Sequence, residues 1–389
     1  MQAHEYDFAK KKNRRKAMRA LLKKAAKHLQ EKLPFVLYSK PNMQEVVGFF
    51  QKDATLFQVV DFSEKGFVLS SFDGKNTFVI PEDRSEIMRS TYENQQDLLF
   101  SAEQLSVDTI AKNDFESLVA KGIESINNNE FKKVVLSRKE IIATPNFDAV
   151  VTFEKLLQLY TSTFVYFFYH PKVGTWMGAT PEQLLKVADG YFETTSLAGT
   201  QKDNGQTEVV WGKKEQEEQQ FVTDYIVSEL SVVASKVAVT RPYSIKAGDI
   251  WHIKTDISGR LNGLSDLKKI IALLHPTPAV CGLPRDNAKT FIQNNEGYDR
   301  SFYTGYLGEL NSCMTANATN SDLFVNLRCM QIEGTSQDNS QKVSAETKAH
   351  LYMGCGITKD SVPEKEWEES INKSMTMKKV LFDKNDTVL

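Results

Sequence analysis

The sequence predicts an α+β fold: one large domain built from two sheet-containing halves, with amphipathic helices interspersed. Three observations carry this. Short strand-like runs follow one another with turn residues between them. Asp189-Gly190, a favoured two-residue hairpin turn, joins two such runs. The helical stripes do not alternate regularly with strands as parallel sheets require. At 389 residues the chain can bury a large core, and no internal repeat or low-complexity linker divides it after residue 35.

The elements follow in order. Residues 1–34 contain the basic run "KKKNRRKAMRALLKKAAKH", whose main apolar content is Leu21 and Leu22. A nucleic-acid arm would interleave aromatics, and the apolar face is narrow for a membrane helix, so the expectation is a solvated, partly frayed helical extension. Residues 35–389 are expected to form the single domain, opening with the strands "FVLYSK", "VVGFFQ" and "FQVVDF". In "DTIAKNDFESLVAKGIESINN", Phe115, Leu118, Val119 and Ile123 recur at helical spacing. "KKVVLSRKEII" reads as a strand with Lys133, Val135 and Ser137 on one face, "FVYFFYH" as a buried strand, and "LLKVADGYFETTSLAG" as a hairpin.

"KKEQEEQQFVTDYIVSELSVVASKV" reads as one helix with a stripe of Phe221, Val222, Tyr225, Ile226, Leu230 and Val233. Glu218 lies at the N-terminal end of that stripe, where it can face inward. Ser265 is the expected N-cap of "SDLKKIIALL"; Asp286 has the same role in "DNAKTFIQNNEG", which Gly297 stops. "FYTGYLGEL", "DLFVNLRCMQIE" and "KAHLYMGCGI" read as strands, with "GTSQDNSQ" a polar turn between the last two. The final helix carries "EKEWEESINK". On it Glu366, Glu369 and Lys373 share a side while Glu364 and Glu368 point elsewhere. Alone, that pattern is well explained as a charged surface stripe with an i,i+4 pair.

Composition excludes several classes. A net charge of -2 implies no general attraction to nucleic acid or membrane. The chain has no run of 18 apolar residues and its N-terminus lacks a signal-peptide core, which leads to the expectation of a cytoplasmic protein. Four widely spaced cysteines without a CxxC pair argue for reduced, mostly buried thiols. GxGxxG, P-loop, HExxH and GxSxG motifs are all missing. What stands out instead is Lys133 heading an apolar strand, Glu182 after Pro181, Gly199 in "SLAGTQ" and Arg328 interrupting "FVNLRCM". Each of these, taken singly, also has a plain structural explanation.

Together with the two acidic helices, these positions fall in ten ordered segments: "KVVLSR", "GATPEQLL", "SLAGT", "KEQEEQQFV", "HIKTDISG", "LLHPTPAVCGLP", "GYDRSFYTGYLG", "NLRCMQI", "GCGI" and "EKEWEESINK". In them the chain, over residues 115–383, resembles the chorismate-utilising enzymes: the isochorismate, salicylate, anthranilate and aminodeoxychorismate synthases. The resemblance implies two antiparallel-sheet halves packed as an α/β/β/α sandwich. It also implies Mg²⁺, with Glu218 and Glu369 on direct ligand positions and Glu366 on one that acts through a bound water. Arg328 and Lys373 match positions that grip substrate carboxylates. Gly199, Thr200, His252, Tyr303, Gly354 and Gly356 match the remaining substrate-binding positions.

Within the family, a lysine at position 133 is what isochorismate and salicylate synthases carry. It implies that Lys133 is the base for water attacking C2 and Glu182 the acid for the departing C4 hydroxyl. "HPTPAVCGLP" resembles the form of dedicated isochorismate synthases, so the expected activity is that of an isomerase acting on chorismate, for menaquinone or siderophore biosynthesis. Salicylate synthases and amine-transferring members are the alternatives, with a non-catalytic chorismate-binding protein behind them. The expected state is a monomer without nucleic-acid or membrane partners.

Overall fold

The computed structural model describes residues 2–93, 108–205, 208–247, 250–262, 267–315, 318–334 and 347–382. The chain opens with α1 (Gln2–Gln30) and the strands β1 (Phe35–Ser39), β2 (Glu45–Gln51), β3 (Phe57–Gln58), β4 (Gly66–Ser70), β5 (Thr77–Pro81) and β6 (Ser85–Thr91). Next come α2 (Thr109–Asn127), β7 (Lys133–Ala143), α3 (Ala149–Leu159), β8 (Phe164–His170), β9 (Gly174–Thr180), β10 (Gln183–Ala188) and β11 (Tyr191–Lys202). These lead to α4 (Lys213–Leu230), β12 (Ala234–Val239), β13 (Tyr243–Ala247), β14 (Ile250–Leu261), α5 (Leu267–Leu274), β15 (Gly282–Leu283) and α6 (Arg285–Asn295). The last elements are β16 (Tyr306–Thr315), β17 (Ala318–Val325), β18 (Cys329–Glu333), β19 (Lys348–Ile357) and α7 (Pro363–Leu381).

The strands form two sheets. The first has nine strands in the order β15-β7-β19-β18-β9-β8-β1-β2-β6, the second ten in the order β12-β14-β11-β10-β17-β16-β4-β5-β3, with β13 paired to β14. Tyr38, Phe164, Tyr166 and Trp176 of the first sheet meet Phe67, Leu307 and Phe324 of the second in one apolar cluster, so the sheets pack face to face. On the outer face of the first sheet, α1, α3 and α7 bury Leu21, Phe153 and Met377 against Phe35, Phe167 and Met330. On the outer face of the second, Val222 and Ile226 of α4 and Ile270 and Leu274 of α5 cover Phe192, Ile257 and Leu323. The result is an α/β/β/α sandwich, as the resemblance implies.

Local chemistry sets the element ends. Asp108 and Asp148 cap α2 and α3 by accepting backbone N-H groups of their first turns. The β10–β11 hairpin turns at Asp189 and Gly190, both with positive φ. Gly297, at φ 72°, follows the last turn of α6.

Several expectations are corrected. The helix drawn from Lys213 to Val237 ends at Leu230, because 234–239 instead pair with β14 and satisfy their backbone in the sheet. Pro284, not Asp286, is the N-cap of α6, and Asp286 sits inside the first turn. "DLFVNLRCMQIE" is two strands: the chain leaves the second sheet at Val325 and enters the first at Cys329, with Arg328 between them at φ 47°. Ser265, and residues 335–341 of "GTSQDNSQ", lie outside the described residues.

The basic N-terminal segment is helical and its basic face is largely exposed, but one stripe of it is docked rather than solvated. Met18, Leu21, Leu22 and Ala25 are buried on the first sheet, His28 stacks edge-on to Phe50, and Lys24 pairs with Glu86. Its narrow apolar stripe suffices because it packs onto Phe35, Val46 and Phe50 of the first sheet. Leu21→Ala should therefore lower unfolding free energy by about 2–4 kcal/mol, the range for emptying a closed core site. Denaturant melts would measure this, and an unchanged midpoint would mean the helix adds no core.

Candidate active site

Two adjacent crossings between the sheets build the site. β9 passes to β10 through Pro181 and Glu182, and β17 passes to β18 through Asn326, Leu327 and Arg328. The two bends lie side by side: the Val325 N-H donates to the Glu182 carbonyl at 2.9 Å, and the Ala179 N-H to the Arg328 carbonyl at 3.0 Å. Asn326 locks its bend by accepting from the Tyr166 hydroxyl at 2.6 Å and donating to the Phe302 carbonyl at 2.9 Å. Glu182 and Arg328 thus enter a cleft that opens between the sheets.

Ten of the residues singled out from sequence line that cleft: Glu182, Gly199, Thr200, Glu218, His252, Tyr303, Arg328, Gly354, Gly356 and Lys373. The glycines are there for space. A Cβ on Gly356 would lie 1.9 Å from Glu218 Oε1, and one on Gly354 would lie 2.6 Å from the Tyr303 hydroxyl. Gly199, at φ 75°, forms a bulge in the β11–β14 pairing and would need a left-handed conformation from any other residue. Lys133, Glu366 and Glu369 do not line the cleft but stand directly behind its carboxylate and its lysine.

Charges here are buried in pairs. Lys133, fully buried on the cleft face of β7, has Nζ 3.1 Å from Glu218 Oε1 without a hydrogen bond between them. Lys373 Nζ donates to Glu369 Oε1 at 2.5 Å and to the Gly354 carbonyl at 2.8 Å. Lys214 pairs with Glu366 Oε1, while Glu366 Oε2 is buried without a partner. Burial and the charge of Glu369 push the Glu366 carboxyl up. For Glu369, burial acts the same way but Lys373 and Lys214 outweigh it and hold the carboxyl down. Lys214 was not singled out from sequence. Its signal was available, since it precedes Glu218 by four residues and so shares its face of α4.

Among the described residues, Glu182 has no ion-pair partner. Burial pushes its carboxyl up to about 8, against the pull of Lys133, Lys373 and Arg328, so it holds a proton at neutral pH. Burial, with Arg328 and Lys373, drives His252 well below its ordinary range and keeps it neutral. Its Nδ1 donates to the Gly199 carbonyl at 3.0 Å, and its Nε2 accepts from Arg328 Nη2 at 3.2 Å.

α7 is held in place by β7. The Arg138 guanidinium stacks 4.4 Å from the Trp367 ring and its Nε donates to Ser370 Oγ at 2.8 Å. This clamp sits beside Glu366 and Glu369 in the sequence of α7. Oxygens of Glu366 and Glu369 lie within 4.8 Å of each other and of Cys355 Sγ, a group of the kind that can hold a cation; Glu218 is not drawn into it. A buried carboxylate with an unused oxygen and a half-buried one suit a hard divalent ion such as Mg²⁺. Glu364 and Glu368, by contrast, are exposed.

Fold and cleft together define a two-sheet protein with a buried acid, paired carboxylates and cationic groups around one cavity. The family model described as chorismate binding enzyme matches residues 11–382, and the chain belongs to that family. The match begins inside the basic helix. The salicylate biosynthesis isochorismate synthase of Pseudomonas aeruginosa is 27% identical over 276 residues, covering 69% of this chain and 54% of that protein. Isochorismate synthase EntC of Escherichia coli is 28% identical over 275 residues, covering 68% of this chain and 66% of that one. The aligned stretch thus spans between about half and two thirds of these relatives. The structure of MenF, the menaquinone-specific isochorismate synthase from Escherichia coli, shares the fold with a TM-score of 0.70 at 22% identity, over 90% of this chain and 89% of that one. No helix among the described residues is long and apolar enough to cross a membrane.

Glu182 makes stability depend on pH in a calculable direction. The folded carboxyl keeps its proton up to about 8, whereas an unperturbed glutamate ionises near 4.5, so the folded state binds more protons in that window. Stability therefore falls as pH rises between those values. Glu182→Gln removes this penalty and should melt higher than the parent protein at pH about 8, with the difference disappearing near pH about 4. Parallel pH profiles in thermal melts would show instead that Glu182 is ionised in the folded protein.

Proposed function

We propose that the cleft isomerises chorismate to isochorismate with Mg²⁺. The observation that supports this reading is a buried carboxyl, Glu182, that stays protonated at neutral pH in the same cleft as Arg328 and Lys373, with Lys133 directly behind the Glu218 that lines it. That is what a general acid for hydroxyl departure needs. Family membership and the isochorismate synthases among the relatives support the choice of substrate and reaction.

In this reading Arg328 meets a substrate carboxylate with its planar fork, and Lys373 adds a point charge. Lys133 takes a proton from water as the oxygen bonds to ring C2. The ring double bonds shift, and the C4–O bond breaks as Glu182 gives its proton to the departing hydroxyl. One water enters and one leaves, so the net change is isomerisation. Glu366 and Glu369, with Glu218 nearby, would hold the Mg²⁺, which supplies Lewis-acid charge and a template for the substrate carboxylate.

Incubating the protein with chorismate and Mg²⁺ and separating the products by chromatography tests the reading. Isochorismate is expected; salicylate with pyruvate, an aminated product requiring ammonia, or no turnover would overturn it. Lys133→Ala and Glu182→Gln should each lower kcat by about 10²–10⁴ while retaining chorismate binding, the range for losing a general base or acid. Near-parental kcat in either variant would remove that residue from the chemistry. Glu369→Gln should abolish Mg²⁺-dependent turnover, and full activity with Mg²⁺ in that variant would refute its role as a ligand.

A further inference from the structure

Three of the acidic residues at or behind the cleft each face a lysine. Glu218 faces Lys133, Glu366 faces Lys214 and Glu369 faces Lys373. A divalent cation entering such an array gains little net attraction unless one ammonium leaves. We infer that Lys214 is a built-in countercation of the Glu366–Glu369 pair, and that a divalent ion binds by displacing it. This rests on the proposed cation site and deepens it, because it names the residue that sets cation affinity.

The three lysines are not equally free to leave. The Lys133 side chain has no exposure, and its backbone at the start of β7 is paired to β15. Lys373 is 12% exposed and is tied twice, to Glu369 and to the Gly354 carbonyl. Lys214 is 25% exposed, sits in the first turn of α4, and is held by a single carboxylate. Its long side chain can swing into solvent without leaving a buried donor unsatisfied. At the other end of the pair, Glu366 Oε2 is buried without a partner, a vacant acceptor beside the oxygen that Lys214 holds.

Titration calorimetry of the full chain with Mg²⁺ alone tests this on the parent protein and on Lys214→Met, Lys214→Gln, Lys214→Arg and Glu369→Gln. Lys214→Met and Lys214→Gln should bind Mg²⁺ about three- to tenfold more tightly, since they remove a part-exposed ion pair that the metal otherwise breaks. Their melting temperatures should be lower without Mg²⁺ and rise further on its addition than the parent's does. Lys214→Arg should restore the parental affinity. Equal or weaker binding in both neutral variants would overturn the inference while leaving the cation site in place. No Mg²⁺ binding by the parent, or undiminished binding by Glu369→Gln, would instead overturn the cation site itself. Should Lys214→Met not fold, Lys214→Gln carries the comparison.

Discussion

The structure depends on two hydrogen-bonded strand pairs bending together from one sheet into the other. β9 and β18 are paired in the first sheet; β10 and β17, their continuations, are paired in the second. At the bend the ladder is interrupted, and backbone groups that would be orphaned find partners across it. Thr180 Oγ1 donates to the Val325 carbonyl at 2.6 Å, and Asn326 bonds both Tyr166 and Phe302. The interruption leaves two side chains, Glu182 and Arg328, aimed into the gap where the sheets part. A continuous strand would have pointed them alternately into a core face and away from it.

Burying so many ionisable groups is costly unless each is answered. Here the answers come from separate elements: β7 supplies Lys133, α4 supplies Lys214 and Glu218, and α7 supplies Glu366, Glu369 and Lys373. The geometry of the array therefore depends on how these three elements are held. Arg138 and Lys378 reach Glu140 from opposite sides, tying α7 to β7, while Gly356 admits Glu218 from α4. Tyr38, Lys40, Glu309 and Asp322 form a second buried network that joins the first strand of one sheet to two strands of the other. The two networks pin the sandwich from different regions of the fold.

Alternation and helical spacing made much of this legible in the sequence. Lys133 and Val135 do share the cleft face of β7, and Glu366, Glu369 and Lys373 do face inward where Glu364 and Glu368 do not. What stayed hidden was set by distant segments. Nothing in "DLFVNLRCMQIE" marks a break, because the left-handed turn at Arg328 is stabilised by Tyr166 and Phe302 from elsewhere in the chain. The docking of α1 is equally non-local: its basic residues dominate the sequence, but four small apolar contacts decide its place. Protonation of Glu182 is a property of the burial around it, which no local pattern encodes.

His252 and Arg328 show how a backbone irregularity reaches the chemistry of the cleft. The bulge at Gly199 turns its carbonyl toward His252, and that carbonyl accepts only from a protonated Nδ1. The other ring nitrogen is thereby left as a lone-pair acceptor, which is the one tautomer able to receive Arg328 Nη2. A doubly protonated ring would instead set two cations against each other in a buried space, and burial together with Arg328 already disfavours it. One guanidinium nitrogen is thus committed to the protein and a second reaches Thr376 at 3.4 Å. The orientation of the fork is then fixed before any anion arrives, so less side-chain freedom remains to be lost on binding.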